Sequence, residues 1–266
     1  MTPPSLPWER IDPRRLVAVH GVLTDIDDTL TTEGDIPMGV VAALAAMRRA
    51  GVPVIAVTGR PMGWSRPIAA EVPLAAVVAE NGAVALRLDD GRLQVEYVQD
   101  EAERAVNAVR LRAVAERIFA AVPGATLARD SAGRVTDIAV DHAEFAHLPP
   151  EAIEQVVGMM RSAGMNATVS SIHINGWFGD HTKLSGAEWI VQRLYGRDLA
   201  AERERWIYVG DSTNDQLMFE HFALSVGVAN LLDFADRMTC WPAYLTRHDR
   251  GRGFIEVAEA VLAARG

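Results

Sequence analysis

Four short segments of the chain carry side chains suited to holding a phosphate or a divalent cation. The first is Asp25-Ile26-Asp27-Asp28-Thr29. Strand-like alternation sets Asp25 and Asp27 on one side, and two carboxylates that close repel unless a cation sits between them. The segment reads either as a metal site with one carboxylate left to attack, or as a polar loop capping a helix. Thr58-Gly59-Arg60 follows an apolar run, so a hydroxyl and a backbone N–H are on offer to a phosphate oxygen; an ordinary strand-to-helix turn has the same composition. Lys183 opens a helical stretch, where a cation opposes the helix dipole and calls for an anion from elsewhere, although most lysines are simply solvated. Gly210-Asp211-Ser212-Thr213-Asn214-Asp215 again sets acids after an apolar run. Asp211 suits a direct metal ligand with Asn214 or Asp215 steadying it, and Asp211 or Ser212 suits helix capping equally well. Each segment alone is ambiguous. Four of them, each at an expected strand end or helix start, make a coincidence that independent accidents rarely produce.

The elements that position these segments follow from hydrophobic patterning. Leu16 to Thr24, Val52 to Val57 and Ala75 to Ala79 are near-continuous apolar runs, the mark of strands buried on both faces of a parallel sheet. Helical stretches at Met38 to Ala50 and Gly63 to Val72 separate them, and Asn81-Gly82 closes the third run as a turn pair. From about Ala83 the texture changes. Val84 to Leu88 and Leu93 to Val98 flank Asp89-Asp90-Gly91, a hairpin signal, and a helix from Glu101 to Val122 follows. Then come a strand from Val135 to Val140, a helix from Glu151 to Ala163 and a strand from Ala167 to Ile174, an α+β order. After Gly179 the α/β rhythm returns, with a helix from Leu184 to Tyr195, strands at Trp206 to Val209 and Leu224 to Val228, a helix beginning near Asn214 and another from Ile255 to Ala264. The expected fold class is α/β, a Rossmann-like core with a mostly parallel sheet, formed by residues 1–84 and 180–266, with an inserted α+β cap over 85–179. Crossings near Ala85 and Gly179 would let the cap open and close. On the cap's last strand His173, Asn175 and Trp177 alternate and share a face, either toward a substrate or as ordinary packing.

Totals narrow the partners. A formal charge of -9 without a Lys/Arg run disfavours nucleic acid, and no stretch of about eighteen uncharged apolar residues suggests a membrane span. Cys240 is the lone cysteine, which excludes an internal disulfide and points to the cytoplasm, as does an N-terminal stretch without an apolar core of the signal-peptide kind. Oligomeric state is not readable.

In all four segments and in their order, the chain resembles the haloacid dehalogenase superfamily of phosphatases: Asp25 to Thr29 as first motif, Thr58 to Arg60 as second, Lys183 as third and Gly210 to Asp215 as fourth. An insert between the second and third motifs implies the larger α+β cap, a subgroup that includes Cof-like, sucrose-phosphate and mannosyl-3-phosphoglycerate phosphatases and the phosphomannomutases. Many of these have Gly directly after the motif-three lysine; here Leu184 follows and Gly186 comes later. The resemblance implies Asp25 as nucleophile, Asp27 as acid and base, Thr58 and Lys183 on the transferring oxygens, and Mg2+ on Asp25, Asp211 and the Asp27 backbone carbonyl, with Asn214 and Asp215 at the metal. Gly59 and Arg60 would meet substrate, as would the His173, Asn175 and Trp177 face. The implied activity is hydrolysis of a small phosphate monoester, a sugar phosphate, through an aspartyl-phosphate. A phosphomutase would use the same residues, and a signalling receiver, a non-enzyme, also accepts phosphate on aspartate; the insert and Asp27 count against the latter.

Overall fold

A computed structural model describes residues 4–266. Its thirteen strands, in chain order, are β1 Leu6–Pro7, β2 Gly21–Thr24, β3 Val54–Val57, β4 Ala76–Ala79, β5 Val84–Asp89, β6 Arg92–Tyr97, β7 Thr126–Leu127, β8 Asp137–Asp141, β9 Asn166–Val169, β10 His173–Trp177, β11 Trp206–Gly210, β12 Leu224–Gly227 and β13 Tyr244–Leu245. Nine form one sheet in the order β1-β13-β12-β11-β2-β3-β4-β5-β6, parallel except for the β4-β5-β6 edge, and four form an antiparallel sheet, β7-β8-β10-β9. The large sheet is mixed α/β with a mostly parallel centre, as the sequence pattern requires.

Every residue of β2, β3, β4, β11 and β12 is buried, which is why these strands read as unbroken apolar runs. Alternate residues feed two separate cores. Val22, Val54, Val77 and Ile207 pack under helices Met38–Arg49 and Arg250–Arg265, while Leu23, Ile55, Val78 and Tyr208 pack under helix Lys183–Tyr195. A third core, with Leu111, Ile118, Val140, Met160 and Ile174, fills the space between the small sheet and helices Glu101–Ala121 and Pro150–Ser162.

Three details differ from the sequence pattern. Leu16 and Val17 belong to a short helix, Pro13–Val17, because the Asp12 side chain caps it and Pro13 starts it; the strand begins only at Gly21. The run Ala167 to Ile174 is a hairpin, since the Ser170 hydroxyl accepts the N–H groups of Ile172 and His173 and turns the chain between β9 and β10. The β5-β6 hairpin, turned by Asp90 (φ 45°) and Gly91 (φ 74°), stays in the large sheet, where Val78 pairs with Ala85. A boundary at 84/85 therefore cuts through a strand, and the layer built on the small sheet starts after Tyr97. Its two covalent connections lie side by side: Gln99, buried, donates from Nε2 to the Phe178 carbonyl at 2.9 Å.

Candidate active site

The chain runs from β2 outward to β3 and β4 on one side, and to β11 and β12 on the other, so the sheet has its topological switch beside β2. Register aligns Thr24 with Val209 and with Ala56. Asp25, Asp211 and Thr58, one or two residues beyond those positions, consequently leave the sheet at one edge. Asp25 stays in line because its N–H donates to Val209 O at 2.9 Å, and Thr58 because its N–H donates to Val78 O at 2.8 Å. Lys183 arrives from the far side of the insert as the first residue of its helix. Thr182 fixes that start, its hydroxyl accepting the Ser185 N–H while the Ser185 hydroxyl accepts the Thr182 N–H.

The centre of the site is an ion cluster. Lys183 Nζ donates to Asp25 Oδ1 and to Asp215 Oδ1, both at 2.7 Å, and the three side chains are 5% exposed or less. Asp25, Asp211 and Asp215 each bring a carboxylate oxygen within 4.8 Å of the others. Asp215 is saturated: Oδ1 also accepts the Tyr208 hydroxyl, and Oδ2 accepts the N–H groups of Asp211 and Ser212 at 2.9 and 3.2 Å. It acts as an anchor for Lys183 and for the turn after β11, and its lone pairs are committed to protein donors. Asp211 is the reverse case, with Oδ1 buried and no partner. Its Oδ2 lies 3.4 Å from Asn230 Nδ2, which also donates to the Asp28 carbonyl at 3.0 Å.

Three buried carboxylates against one ammonium leave an excess of negative charge, and the proton affinities respond to it. Burial, then Asp215 and Asp25, push Asp211 well above the carboxylate range. Burial, against Lys183 and with Asp215 and Asp27, pushes Asp25 up to about 7. Burial opposes the Lys183 charge, but Asp215 and Asp25 outweigh it and raise its pKa. Such a cluster lacks positive charge, and the unpartnered Asp211 Oδ1 beside Asp25 is where a divalent cation fits it.

Asp27 lies apart from the cluster. Arg60 Nε donates to both of its carboxylate oxygens at 3.0 Å, and burial raises its pKa against that guanidinium. The side chain of Asp27 is therefore not with Asp25 and Asp211 as a metal ligand. Arg60 is not free to grip a ligand in this arrangement either: Nη1 donates to Asp130 and Nη2 to Glu144, each at 3.1 Å, and its guanidinium lies 4.8 Å over Trp64. Thr58 is placed for an anion, since its Oγ1 accepts the Arg60 N–H at 3.0 Å and so keeps its own hydrogen to donate. The Gly59 carbonyl accepts from Arg134 at 2.9 Å and from Asn175 at 3.3 Å.

The three alternating residues of β10 are all buried in the seam between the two sheets. His173 Nε2 meets Glu144 Oε2 at 2.8 Å, Asn175 donates to Asp137 at 3.1 Å, and Trp177 donates from Nε1 to His181 O at 2.9 Å while its ring stacks on His181. Trp177 and Asn214 line, with Lys183, Asn81 and Thr168, a cavity of about 140 Å³; Asn214 Oδ1 accepts the Ser212 hydroxyl at 2.9 Å.

Sequence patterning gave no sign of several residues that complete the site. Glu80, in a turn with positive φ at Glu80, Asn81 and Gly82, accepts the N–H groups of Met62, Val135 and Thr136 and the Thr136 hydroxyl, tying the large sheet to the insert. Burial, with Asp137 adding to it, pushes Glu80 up to about 6. Tyr208 and Asn230 hold the acids, and Asp130, Arg134, Asp137 and Glu144 form the seam; none sits in a motif. Only the Asn81-Gly82 turn marked Glu80's neighbourhood.

Residues 22–116 match a sequence profile described as haloacid dehalogenase-like hydrolase. A protein of Methanosarcina mazei named phosphoglycolate phosphatase is 27% identical over 248 residues, covering 90% of this chain and 94% of its own. The sucrose-phosphatase of Synechocystis sp., solved with sucrose and phosphate, superposes with a TM-score of 0.65 at 18% identity over 91% of this chain and 98% of its own. The C-terminal domain of a C. albicans trehalose-6-phosphate phosphatase reaches 0.68 at 13% identity, covering 99% of both chains. In this matched segment and in its fold, the chain is similar to the haloacid dehalogenase-like hydrolases, and Asp25, Thr58, Lys183 and Asp211 gather at one edge of its sheet.

Proposed function

We propose that the chain is a magnesium-dependent phosphatase that hydrolyses a small phosphate monoester of the sugar-phosphate class through an aspartyl-phosphate on Asp25. The observation that carries this reading is the buried bridge from Lys183 Nζ to Asp25 Oδ1, set beside the partnerless Asp211 Oδ1. Asp25 and Asp211 would hold the metal, with the Asp27 backbone carbonyl; bound there, it supplies the positive charge that lets an anionic phosphate approach an anionic nucleophile. Lys183 holds Asp25 Oδ1, so Asp25 Oδ2 attacks phosphorus and the ester P–O bond breaks. Thr58 Oγ1 and Lys183 Nζ donate to the transferring oxygens. Asp27 gives its proton to the leaving alkoxide. It then takes one from the water that attacks phosphorus, which frees Asp25 and inorganic phosphate.

The β7-β10 sheet with its two helices is the cap, joined to the core through the paired connections at Gln99 and Phe178. Closed, as the seam of ion pairs has it, the cap keeps bulk water from the aspartyl-phosphate; substrate entry requires it to lift. No helix among the described residues is long and apolar enough to cross a membrane, and a lone, half-buried Cys240 suits the reducing cytoplasm. The test is phosphate release from hexose monophosphates with Mg2+, with chelator, and with Asp25→Asn. Turnover that needs the metal and falls by at least about a thousandfold in the variant is expected. Isomeric phosphate without free phosphate would replace hydrolysis by a mutase reaction.

A further inference from the structure

The geometry points to Glu144 as the residue that selects the leaving group, admitting an uncharged, hydroxyl-bearing one and turning away one that carries a carboxylate. This deepens, and depends on, the phosphatase reading above. Glu144 reaches the reacting centre through a single atom: Arg60 Nη2 lies 3.0 Å from Asp27 Oδ1 and 3.1 Å from Glu144 Oε1. In that reading Asp27 touches the leaving oxygen, so Glu144 borders the remainder of the leaving group. Its side chain is 22% exposed and that of Asp27 16%, so both keep some open surface.

The loop that carries Glu144 is built to hold it there. Asp141 Oδ1 accepts the Glu144 N–H at 2.9 Å, and Oδ2 accepts those of Phe145 and Ala146 at 3.0 and 3.1 Å. His173 Nε2 meets the second Glu144 oxygen, and that contact above all, then Arg60, holds the carboxyl down to about 2, so it is ionised at any working pH. Charge decides what it can accept. With Asp27 protonated as the acid, the carboxylates Asp130, Glu144 and Asp137 face two guanidiniums, Arg60 and the nearby Arg134 that Asp130 and Asp137 share. A substrate carboxylate arriving here meets a net negative field with every Arg60 nitrogen occupied, whereas a sugar hydroxyl finds carboxylate acceptors ready to take its hydrogen.

The test compares kcat/KM for a hexose 6-phosphate and for phosphoglycolate, in the native chain and in Glu144→Gln. The native chain should prefer the hexose ester, and Glu144→Gln should shift the ratio toward phosphoglycolate on the order of tenfold, the effect of removing one nearby charge at intermediate screening. Thermal unfolding establishes that the variant folds. Should it not fold, the native chain still answers, because added salt should raise phosphoglycolate turnover relative to the hexose ester. A native preference for phosphoglycolate, a ratio that Glu144→Gln leaves unmoved, or a native ratio indifferent to salt would overturn the assignment while leaving a phosphatase. No phosphate release from either ester or from p-nitrophenyl phosphate would overturn the phosphatase reading and this inference with it.

Discussion

Asp211→Asn should make the chelated protein more stable while destroying its activity. Asp211, Asp25 and Asp215 have oxygens within 4.8 Å of one another, and among the described residues Lys183 is the cation that offsets them. One pair of like charges at that separation costs about 3.5 kcal/mol at an effective dielectric of about 20. Two such repulsions against one comparable attraction leave a net of about 3.5 kcal/mol acting on Asp211. Protonation sets a ceiling: neutralising a carboxyl of ordinary pKa 3.8 at pH 7 costs about 4 kcal/mol, so the penalty cannot exceed that. The amide is isosteric, can accept from Asn230 with its oxygen and turns an N–H toward the acids. A gain of about 2–4 kcal/mol is therefore expected. With about 2.1 cal/mol/K of unfolding entropy for each of 266 residues, that raises the melting temperature by roughly 4–7 °C in EDTA. Magnesium at a hundred times its Kd should stabilise the native chain by about 2.7 kcal/mol and leave the variant unmoved. Scanning calorimetry of both proteins in EDTA and in Mg2+ is the assay. A variant that melts lower than the native chain in EDTA, or that keeps the magnesium shift, would refute the account of Asp211 as an uncompensated buried charge awaiting a cation.

Two further predictions concern packing and pH. Burial holds His181, against Asp180, down to about 4, below its ordinary 6.5, so the folded chain carries fewer protons than the unfolded one in that window and loses stability as pH falls through it. His181→Phe should shrink the stability difference between pH 7 and pH 4, measured by urea unfolding, by up to about 3 kcal/mol; an unchanged difference would disprove the role given to its ring. Gly186→Ala improves helix propensity by about 1 kcal/mol, yet its Cβ would come within 2.5 Å of Gly82 Cα and 2.9 Å of Gly82 O. A net loss of about 2 kcal/mol or more in unfolding free energy, measured by urea denaturation, is expected, and a stabilised variant would contradict that close approach.

The parts of the molecule legible in the sequence are those specified by neighbours along the chain. β2, β3 and β11 are covered on both faces, so they are apolar throughout, and the acids that follow them stand out against that background. Asp90-Gly91 announces a hairpin because positive φ demands such residues; which sheet the hairpin joins depends on Val77 to Ala79, which no local pattern records. Ser170 broke an apparently continuous strand through two hydrogen bonds, a signal too small to read in advance. The candidate site divides in the same way. Asp25, Thr58, Lys183 and Asp211 lie in short polar clusters at element ends. Glu144 and Asp130 meet Arg60, and Arg134 meets the Gly59 carbonyl, only because the insert folds back across the edge. The Gly186 that follows Lys183 at a distance has a spatial meaning invisible in sequence: it lets the helix rest on the Gly82 turn.

Gln99 joins the outgoing and returning connections by a hydrogen bond to Phe178 O, and Gly179 beside it takes φ 111°. Two chain crossings that far apart in sequence but fastened together would act as one pivot pin for the proposed cap. In the capped enzyme proposed above, a lobe hung on a single pin would swing without twisting, and each closure would return Glu144 to Arg60 in the same register. The proposed selectivity would then be inherited from the mechanics of the joint as much as from the side chains it carries.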